Sequence, residues 1–331
     1  MNTDKIFSEE ILFEQTALAV FAHQAEHNQV YKQYLKALNI NIAEIKKTEQ
    51  IPFLPIAFFK THKVISSSKC EMPDENGEIV FTSSGTTGSV TSKHYVSDVS
   101  LYQKSFSHCF HLFYGDIKEF CLLALLPSYL ERQGSSLVYM CNELIKQSGN
   151  PVSGFYLDEY KKLHQTIQTL ISQNQKFILL GVTYALLDFA ETLKSPIDGF
   201  NGIVMETGGM KGKREEMLRE EIHSRLKKSF GVSQIHSEYG MTELLSQAYS
   251  TANGIYHCPQ WMKIFIRDIN DPFTFVDHNQ TGGINIIDLA NINSCSFIAT
   301  QDLGKSYVDG SFEVLGRFDN SDLRGCNLMI E

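Results

Sequence analysis

Between residues 120 and 240 the chain repeats one pattern: a short apolar run, a turn, and a stretch with helical periodicity. The apolar runs lie at residues 121–126, 176–181, 203–206 and 233–237, and the helical stretches at 135–146, 160–172, 184–193 and 213–229. In the last helical stretch Leu218, Ile222 and Leu226 recur every four residues, which predicts one apolar face. Gly231 is expected to end that helix, because glycine readily adopts the left-handed conformation that closes helices. The alternation predicts an α/β fold with mostly parallel strands and helices on both faces.

The flanking segments differ from this pattern. The first 38 residues lack Pro and Gly and have apolar residues at helical spacing, which predicts one or two helices. Pro52 and Pro55 preclude a regular helix across residues 51–64 and predict an extended, partly buried connection. Short β-like runs after residue 251 predict a small antiparallel lobe. We therefore expect a helical segment at 1–50, an α/β body at 51–250, and a β-rich lobe with a hinge-like end at 251–331.

Charge and composition exclude several classes of function. A net charge of −9 provides no broad positive field, so we expect no nucleic-acid partner. The longest apolar runs fall short of the about 18 residues that a membrane span needs, and the N-terminus lacks a secretory apolar region, so we expect no membrane span and a cytoplasmic protein. The seven cysteines form no C-x-x-C pair, which indicates reduced thiols rather than disulfides or a zinc site.

A loop rich in hydroxyl groups carries the strongest chemical signal. Five Ser and Thr side chains and Gly85 lie between Thr82 and Thr87, with Gly88 next and Lys93 further on. Glycines let backbone N–H groups approach an anion, hydroxyls donate further hydrogen bonds, and a lysine offsets charge, so the loop is suited to phosphate. It is not a Walker loop, because no G-x-x-x-x-G-K-[ST] occurs in the chain. The alternative is a flexible surface turn.

The loop residues Ser83, Ser84, Gly85, Thr86, Thr87 and Gly88 resemble the phosphate-loop signature of the adenylate-forming superfamily, which contains acyl-CoA synthetases and luciferases. Four further segments resemble that superfamily in the same order: residues 208–209, 239–243, 300–304 and 316–317. Within the superfamily, residues 51–60, 125–140 and 315–328 resemble LuxE-type acyl-protein synthetases. The resemblance thus covers most of the chain from about residue 50 and implies the N-terminal-domain fold of those enzymes.

The resemblance implies a role for each matching residue. Tyr239 would stack on adenine, with Gly208 and Gly209 flanking the opposite face. Thr242 would hydrogen-bond the α-phosphate, and Glu243 would hold Mg²⁺, a hard ion that needs oxygen ligands. The alternative for Glu243 is an acid that stabilises a helix start.

Two further residues match superfamily positions outside the α/β pattern. Asp302 resembles the acid that binds both ribose hydroxyls. Arg317 resembles the arginine that contacts ribose or phosphate and marks the domain hinge.

The chain departs from the superfamily near its end. Relatives continue past the hinge with a mobile C-terminal domain that supplies a catalytic lysine, and we expect that domain to be absent here, since the chain stops at Glu331. Lys93 is the nearest candidate to offset phosphate charge, and a solvated lysine is the alternative. Cys326 resembles the acylated cysteine of LuxE-type proteins, and a small packing residue is the alternative.

The sequence thus predicts an AMP-forming ligase that uses ATP and Mg²⁺ to activate a carboxylic acid, by resemblance a fatty acid, and passes the acyl group to a protein thiol. An acyl reductase or another acceptor protein is an expected partner. The alternative is a nucleotide-binding subunit without catalysis. No G-x-S-x-G elbow supports a hydrolase, and the H-x-x-x-x-D match at His111 and Asp116 is attributed to chance.

Overall fold

Helices and strands alternate along the chain in the structure, a computed structural model that describes residues 6–8, 10–66, 79–83, 90–126, 134–208, 214–215 and 217–318. The helices are α1 Phe13–His27, α2 Gln29–Ala37, α3 Phe58–Thr61, α4 Val99–Tyr114, α5 Ser136–Ser148, α6 Tyr160–Ser172, α7 Thr183–Thr192 and α8 Arg219–Phe230. The strands are β1 Leu54–Pro55, β2 Ile79–Thr82, β3 Lys93–Val96, β4 Cys121–Leu125, β5 Gly154–Phe155, β6 Phe177–Val182, β7 Ile203–Thr207, β8 His236–Tyr239, β9 Ala248–Ser250, β10 Ile255–Tyr256, β11 Met262–Arg267, β12 Gly282–Asp288, β13 Phe297–Ser306 and β14 Phe312–Arg317.

Contacts divide the chain into two units. The central unit is Glu75–Pro259, and the terminal unit joins Met1–Asp74 with Gln260–Glu331. The boundaries expected from sequence near residues 50 and 250 stay a prediction, and the compact units place residues 51–66 with the segment that follows residue 260. Among the described residues no helix is both long enough and apolar enough to cross a membrane.

The central unit contains the predicted parallel sheet. Its strand order is β5-β4-β6-β7-β8-β9, with parallel pairing from β5 through β8 and antiparallel pairing of β9 with β8. Every residue of β4 and β6 is buried, as expected for continuous apolar runs in parallel strands that are covered on both faces. The prediction of an α/β fold with mostly parallel strands is confirmed.

Helix α8 ends and begins at residues that the sequence pattern addressed. Gly231 has φ +71°, so the predicted left-handed closure is confirmed. The start was predicted too early, because α8 begins at Arg219 rather than near residue 213. Leu218 lies just before the helix and is 73% exposed, so the buried face consists of Ile222, Leu226 and Phe230 without it.

The terminal unit contains an antiparallel sheet in the order β14-β13-β12-β11. The predicted antiparallel lobe is confirmed for these strands. β1 pairs in parallel with β13, Leu54 with Ile298 and Pro55 with Ala299, as a two-residue edge strand that tolerates proline. The predicted extended connection is correct for β1 and wrong for α3, which forms one turn of helix once Pro55 has been passed.

A buried glutamine anchors the first predicted helix. Gln24 of α1 is fully buried, and its Nε2 donates to the carbonyls of Asn291 at 3.1 Å and Ile292 at 2.9 Å. Its Oε1 accepts from the Ser296 amide at 2.9 Å. A buried amide side chain is stable only when its polar atoms find such partners. The N-terminal helix is therefore held by residues that lie about 270 positions later in the chain.

Candidate active site

The carboxyl edge of the parallel sheet brings two predicted site residues side by side. β7 and β8 run parallel in a register that pairs Thr207 with Glu238, so Gly208 and Tyr239 are the next residues on the two strands. Gly208 has φ +71°, a conformation that a residue with a side chain rarely adopts. The Tyr239 side chain is buried, and its ring meets the Tyr256 ring at 5.9 Å and 62°. Open α/β sheets bind ligands at this edge.

The segment after Tyr239 turns tightly and buries a carboxylate. The Leu244 amide donates to the Met241 carbonyl at 3.1 Å, and the Glu243 side chain is buried while Thr242 is half-buried. A Cβ at Gly240 would lie 2.5 Å from Glu238 Oε1, so a larger residue there would require the Glu238 carboxylate to shift. A carboxylate and a hydroxyl on neighbouring residues form an oxygen donor set of the kind that Mg²⁺ prefers, so Thr242 and Glu243 fit that ion.

One residue of the hydroxyl-rich loop that was predicted to bind phosphate, Ser83, instead joins the two ends of the loop. β2 and β3 form an antiparallel hairpin that pairs Thr82 with Lys93. Beyond this pair the Ser83 amide donates to the Ser92 carbonyl at 3.1 Å, and Ser83 Oγ accepts from the Ser92 amide at 2.9 Å. The structure thus gives Ser83 a role in closing the loop.

The rest of the predicted phosphate loop is only partly described. Ser84, Gly85, Thr86, Thr87 and Gly88 lie outside the described residues, as do Gly209 and Cys326. Lys93 is exposed at the base of the loop.

A histidine that sequence reasoning missed links the hairpin to the Tyr239–Glu243 segment. His94 of β3 is buried, and its Nδ1 lies 2.8 Å from the carbonyl oxygen of Thr242. An imidazole N–H on that nitrogen donates to the carbonyl. His94 follows Lys93 directly, so one hydrogen bond joins the base of the hydroxyl-rich loop to Thr242, which was predicted to contact the α-phosphate and precedes the predicted magnesium ligand Glu243. The clue in the sequence was a histidine directly after Lys93, at the base of the loop.

Two buried glutamates beneath the same edge were also missed. Glu206 and Glu238 are 8% and 6% exposed, which is rare for carboxylates. Thr183 of α7 donates to Glu206 Oε2 at 2.8 Å, and His223 of α8 lies 3.6 Å from Oε1. Burial alone would raise the pKa of Glu206, but His223, Ser237, Arg219 and Thr183 together lower it. The carboxylate is therefore retained as an anion.

Glu238 lies on the opposite face of the sheet. Its Oε2 accepts from the Thr207 hydroxyl, and its charge raises the pKa values of Tyr102 on α4 and Cys141 on α5, in which burial is the main cause. Side chains alternate between the faces of a strand, so Glu206 faces α7 and α8 while Glu238 faces α4 and α5. This confirms the prediction of helices on both faces.

The terminal unit places the other two predicted residues opposite each other. Asp302 of β13 pairs with Arg317 of β14, and Arg317 Nε lies 3.3 Å from Asp302 Oδ1. The Asp302 side chain is mostly buried, whereas Arg317 is 72% exposed. The Asp302 amide donates to Thr300 Oγ1 at 3.1 Å. The predicted ribose contacts thus form one ion pair between β13 and β14.

Solved structures of other proteins share the fold of this chain. An ATP-bound MatB from Rhodopseudomonas palustris is 15% identical with a TM-score of 0.55, covering 72% of this chain and 47% of its own. An open 2-hydroxyisobutyryl-CoA ligase, in complex with 2-HIB-AMP and CoA, is 14% identical with a TM-score of 0.69, covering 92% of this chain and 69% of its own. The chain has the fold of adenylate-forming ligases and spans about half the length of the MatB chain.

The family follows from the sequence as a whole. The model of the acyl-protein synthetase family, LuxE, matches residues 6–331. The chain therefore belongs to the LuxE acyl-protein synthetase family, as the sequence resemblance predicted. Comparison with curated proteins gives no significant match.

Proposed function

We propose that this protein uses ATP to activate a carboxylic acid as an acyl-adenylate and then transfers the acyl group to a protein thiol. In the first half-reaction a carboxylate oxygen of the acid attacks the α-phosphorus of ATP. The new carbonyl-O–P bond forms while the bond from the α-phosphorus to the bridging oxygen breaks, which releases pyrophosphate. Family membership and the ligase fold support this chemistry.

The observation that carries the proposal is the geometry at the ends of β7 and β8. Gly208 and Tyr239 are neighbours there, and Thr242 and Glu243 follow within four residues of Tyr239. Tyr239 would stack on adenine against the backbone at Gly208 and Gly209. Thr242 would donate to the α-phosphate, and Glu243 would hold Mg²⁺, which when bound supplies positive charge to the departing pyrophosphate.

The hydroxyl-rich loop would hold the β- and γ-phosphates. Ser83 closes the loop through Ser92, so we assign direct phosphate contacts to Ser84, Gly85, Thr86, Thr87 and Gly88. Lys93 at the loop base is exposed and would offset phosphate charge.

In the terminal unit, a carboxylate can accept hydrogen bonds from two ribose hydroxyls at once, which suits Asp302. Arg317, now paired with Asp302, would contact ribose or phosphate.

The second half-reaction is thioester formation. A thiolate attacks the acyl carbon, the C–S bond forms, and the C–O bond to AMP breaks. We assign the thiol to Cys326, whose neighbour Arg324 would favour the thiolate. The acid is proposed to be a fatty acid, and an acyl reductase or another acceptor protein is proposed to receive the acyl group.

The test is acid-dependent exchange of labelled pyrophosphate into ATP across a series of saturated fatty acids. We expect exchange that requires both an acid and Mg²⁺. ATP binding without exchange at any chain length would instead favour a nucleotide-binding subunit. The thiol is tested with Cys326→Ser, in which exchange should survive while hydroxylamine-labile acyl label on the protein disappears. Cys258→Ser serves as the matched control, and a label that persists on Cys326→Ser would place the acceptor elsewhere.

A further inference from the structure

The sheet of the terminal unit contains an irregularity at the predicted ribose carboxylate. β12 and β13 pair Asn285 with Ala299 and then Gly283 with Leu303. Between these pairs β12 has only Ile284, whereas β13 has three residues, Thr300 to Asp302. Extra residues leave the ladder and bend the strand outward. Thr300–Gln301–Asp302 therefore lies outside the pairing of β13 with β12, and the backbone groups that face β12 there need other partners.

Arg267 of β11 supplies those partners. Its Nη1 donates to the Ile284 carbonyl at 2.9 Å and to Asn285 Oδ1 at 2.7 Å, and its Nη2 donates to the Thr300 carbonyl at 2.6 Å. One guanidinium thus joins three strands at the bulge. The rigid, planar arrangement of its five N–H donors makes arginine suited to this task.

Further contacts lead from this guanidinium to Asp302. Thr300, whose carbonyl Arg267 holds, donates from Oγ1 to the Ile284 carbonyl at 2.8 Å and accepts from the Asp302 amide at 3.1 Å. Burial lowers the pKa of Arg267, and the charge of Asp302 partly opposes this shift.

The hinge end of β14 meets the same guanidinium. Phe318, next to Arg317, has its ring 5.4 Å from the guanidinium carbon of Arg267. The Phe318 amide donates to the Gln301 carbonyl at 2.8 Å.

A glycine makes room for the guanidinium. A Cβ on Gly283 would lie 2.4 Å from the guanidinium carbon of Arg267 and 2.7 Å from Nε and from Nη2. No Cβ approaches heavy atoms so closely, so any other residue at 283 would displace the guanidinium. The pair of Gly283 and Arg267 therefore behaves as one device.

We infer that Arg267 is a positioning residue for Asp302: its guanidinium replaces the strand pairing lost at the bulge and fixes the carboxylate that would bind the ribose hydroxyls. The inference rests on the proposed function, since the ribose role of Asp302 belongs to it. Arg267 itself touches backbone and Asn285 and need not touch the nucleotide.

The test measures binding of ATP and of 2′-deoxyATP and 3′-deoxyATP by calorimetry in the full chain. Wild type should prefer ATP. Arg267→Met should weaken ATP binding about tenfold, as expected for losing charge-assisted hydrogen bonds. Each deoxy analogue keeps one ribose hydroxyl and should lose less affinity than ATP does, so the preference for ATP narrows. A role limited to stability would lower the melting temperature and weaken all three nucleotides equally.

Three variants keep the inference falsifiable. Gly283→Ala should lose the preference for ATP over the deoxy analogues even though Arg267 is present. In the Arg267→Met background it should cause no further loss of that preference. Arg267→Lys keeps the positive charge but not the planar arrangement of N–H donors, so it should also lose the preference for ATP. Arg225→Met is the control, because this exposed arginine of α8 pairs with Glu221 one turn away, and it should keep the preference.

The outcomes separate this inference from the proposed function. A preference for ATP retained in folded Arg267→Met and Gly283→Ala would overturn the inference alone. Equal binding of all three nucleotides by wild type would remove Asp302 from the ribose and overturn the inference, while acid-dependent pyrophosphate exchange would still report adenylation. Absence of that exchange overturns the proposed function whatever Arg267 does.

Discussion

The central and terminal units place their predicted site residues by different structural means. In the central unit Gly208 and Tyr239 become neighbours because parallel strands end at the same edge of the sheet. In the terminal unit Asp302 lies in the middle of an antiparallel strand, and a bulge held by Arg267 takes it out of the pairing with β12. The difference teaches that a parallel sheet creates a site from its topology, whereas an antiparallel sheet needs a local irregularity with its own support.

The largest effect should come from the central unit. Glu243→Gln removes the negative charge that would hold Mg²⁺ while it keeps the size of the side chain. We expect nucleotide binding to persist and acid-dependent exchange to slow about hundredfold, measured across a magnesium titration. Glu220→Gln, on an exposed turn of α8, is the matched control. Full exchange with unchanged magnesium dependence would reduce Glu243 to a structural acid.

The two units should contribute separately to nucleotide affinity. Tyr239→Ala removes the ring proposed to stack on adenine, and Asp302→Ala removes the carboxylate proposed to bind the ribose. Each should weaken ATP binding by about 2 kcal/mol without unfolding the protein. Tyr239→Phe keeps the ring and should bind normally, whereas only Asp302→Ala should lose the preference for ATP over deoxyATP. Unchanged affinity in both alanine variants would remove these residues from the site.

The link between the hairpin and the Tyr239–Glu243 segment should have a smaller effect. His94→Leu removes the hydrogen bond to the Thr242 carbonyl and frees the base of the hydroxyl-rich loop from the Tyr239–Glu243 segment. Exchange should slow about tenfold, mainly in kcat, because the Thr242 hydroxyl is still present but is held less accurately. His94→Asn can restore a donor near Nδ1 and should recover most of the rate. Equal rates in all three proteins would contradict a role for this bond.

Glu206 should influence stability more than chemistry. The pKa of Glu206 is lowered in the folded state, so its anion stabilises the fold at pH values above the ordinary pKa of 4.5. That contribution is lost as pH falls through the folded pKa. Glu206→Gln should lower the free energy of unfolding at pH 7 by about 1 kcal/mol. In urea unfolding, the free energy of unfolding of Glu206→Gln should fall less on acidification than that of wild type. Identical acid profiles would mean that Glu206 is not an anion in the fold.

The ion pair at the edge of the terminal unit should have the smallest effect. Arg317 is 72% exposed, and exposed ion pairs are screened by solvent. Arg317→Met should change the free energy of unfolding by less than about 0.5 kcal/mol. A larger loss of the free energy of unfolding, measured in urea at low and at high salt, would show that the ion pair stabilises the sheet.

The parallel sheet was predictable because its strands and helices are local patterns with periods that the sequence displays. Gly208 and Tyr239 could be placed at one edge for the same reason, since each follows an apolar run. The roles of these residues, and of Asp302 and Arg317, stay predictions.

What the sequence did not predict depends on contacts between distant segments. The bulge at Asp302 arises from the register of β12 against β13, and Arg267 belongs to a third strand. The pairing of Leu54 with Ile298 spans most of the chain. Glu206 and Glu238 were hidden because a charge at the end of an apolar run also indicates the end of a strand.

The buried Gln24 bears on how the chain is made. A ribosome delivers Gln24 more than 260 residues before its acceptor carbonyls at Asn291 and Ile292. The central unit contains all strands of its parallel sheet in one continuous segment and can complete that sheet during synthesis. Helix α1 must wait until residues 291–296 are made, and until then the Gln24 amide, which is fully buried in the finished protein, is exposed to water. The terminal unit therefore completes its fold later than the central unit. Until then it is the part of the chain most exposed to chaperones and proteases.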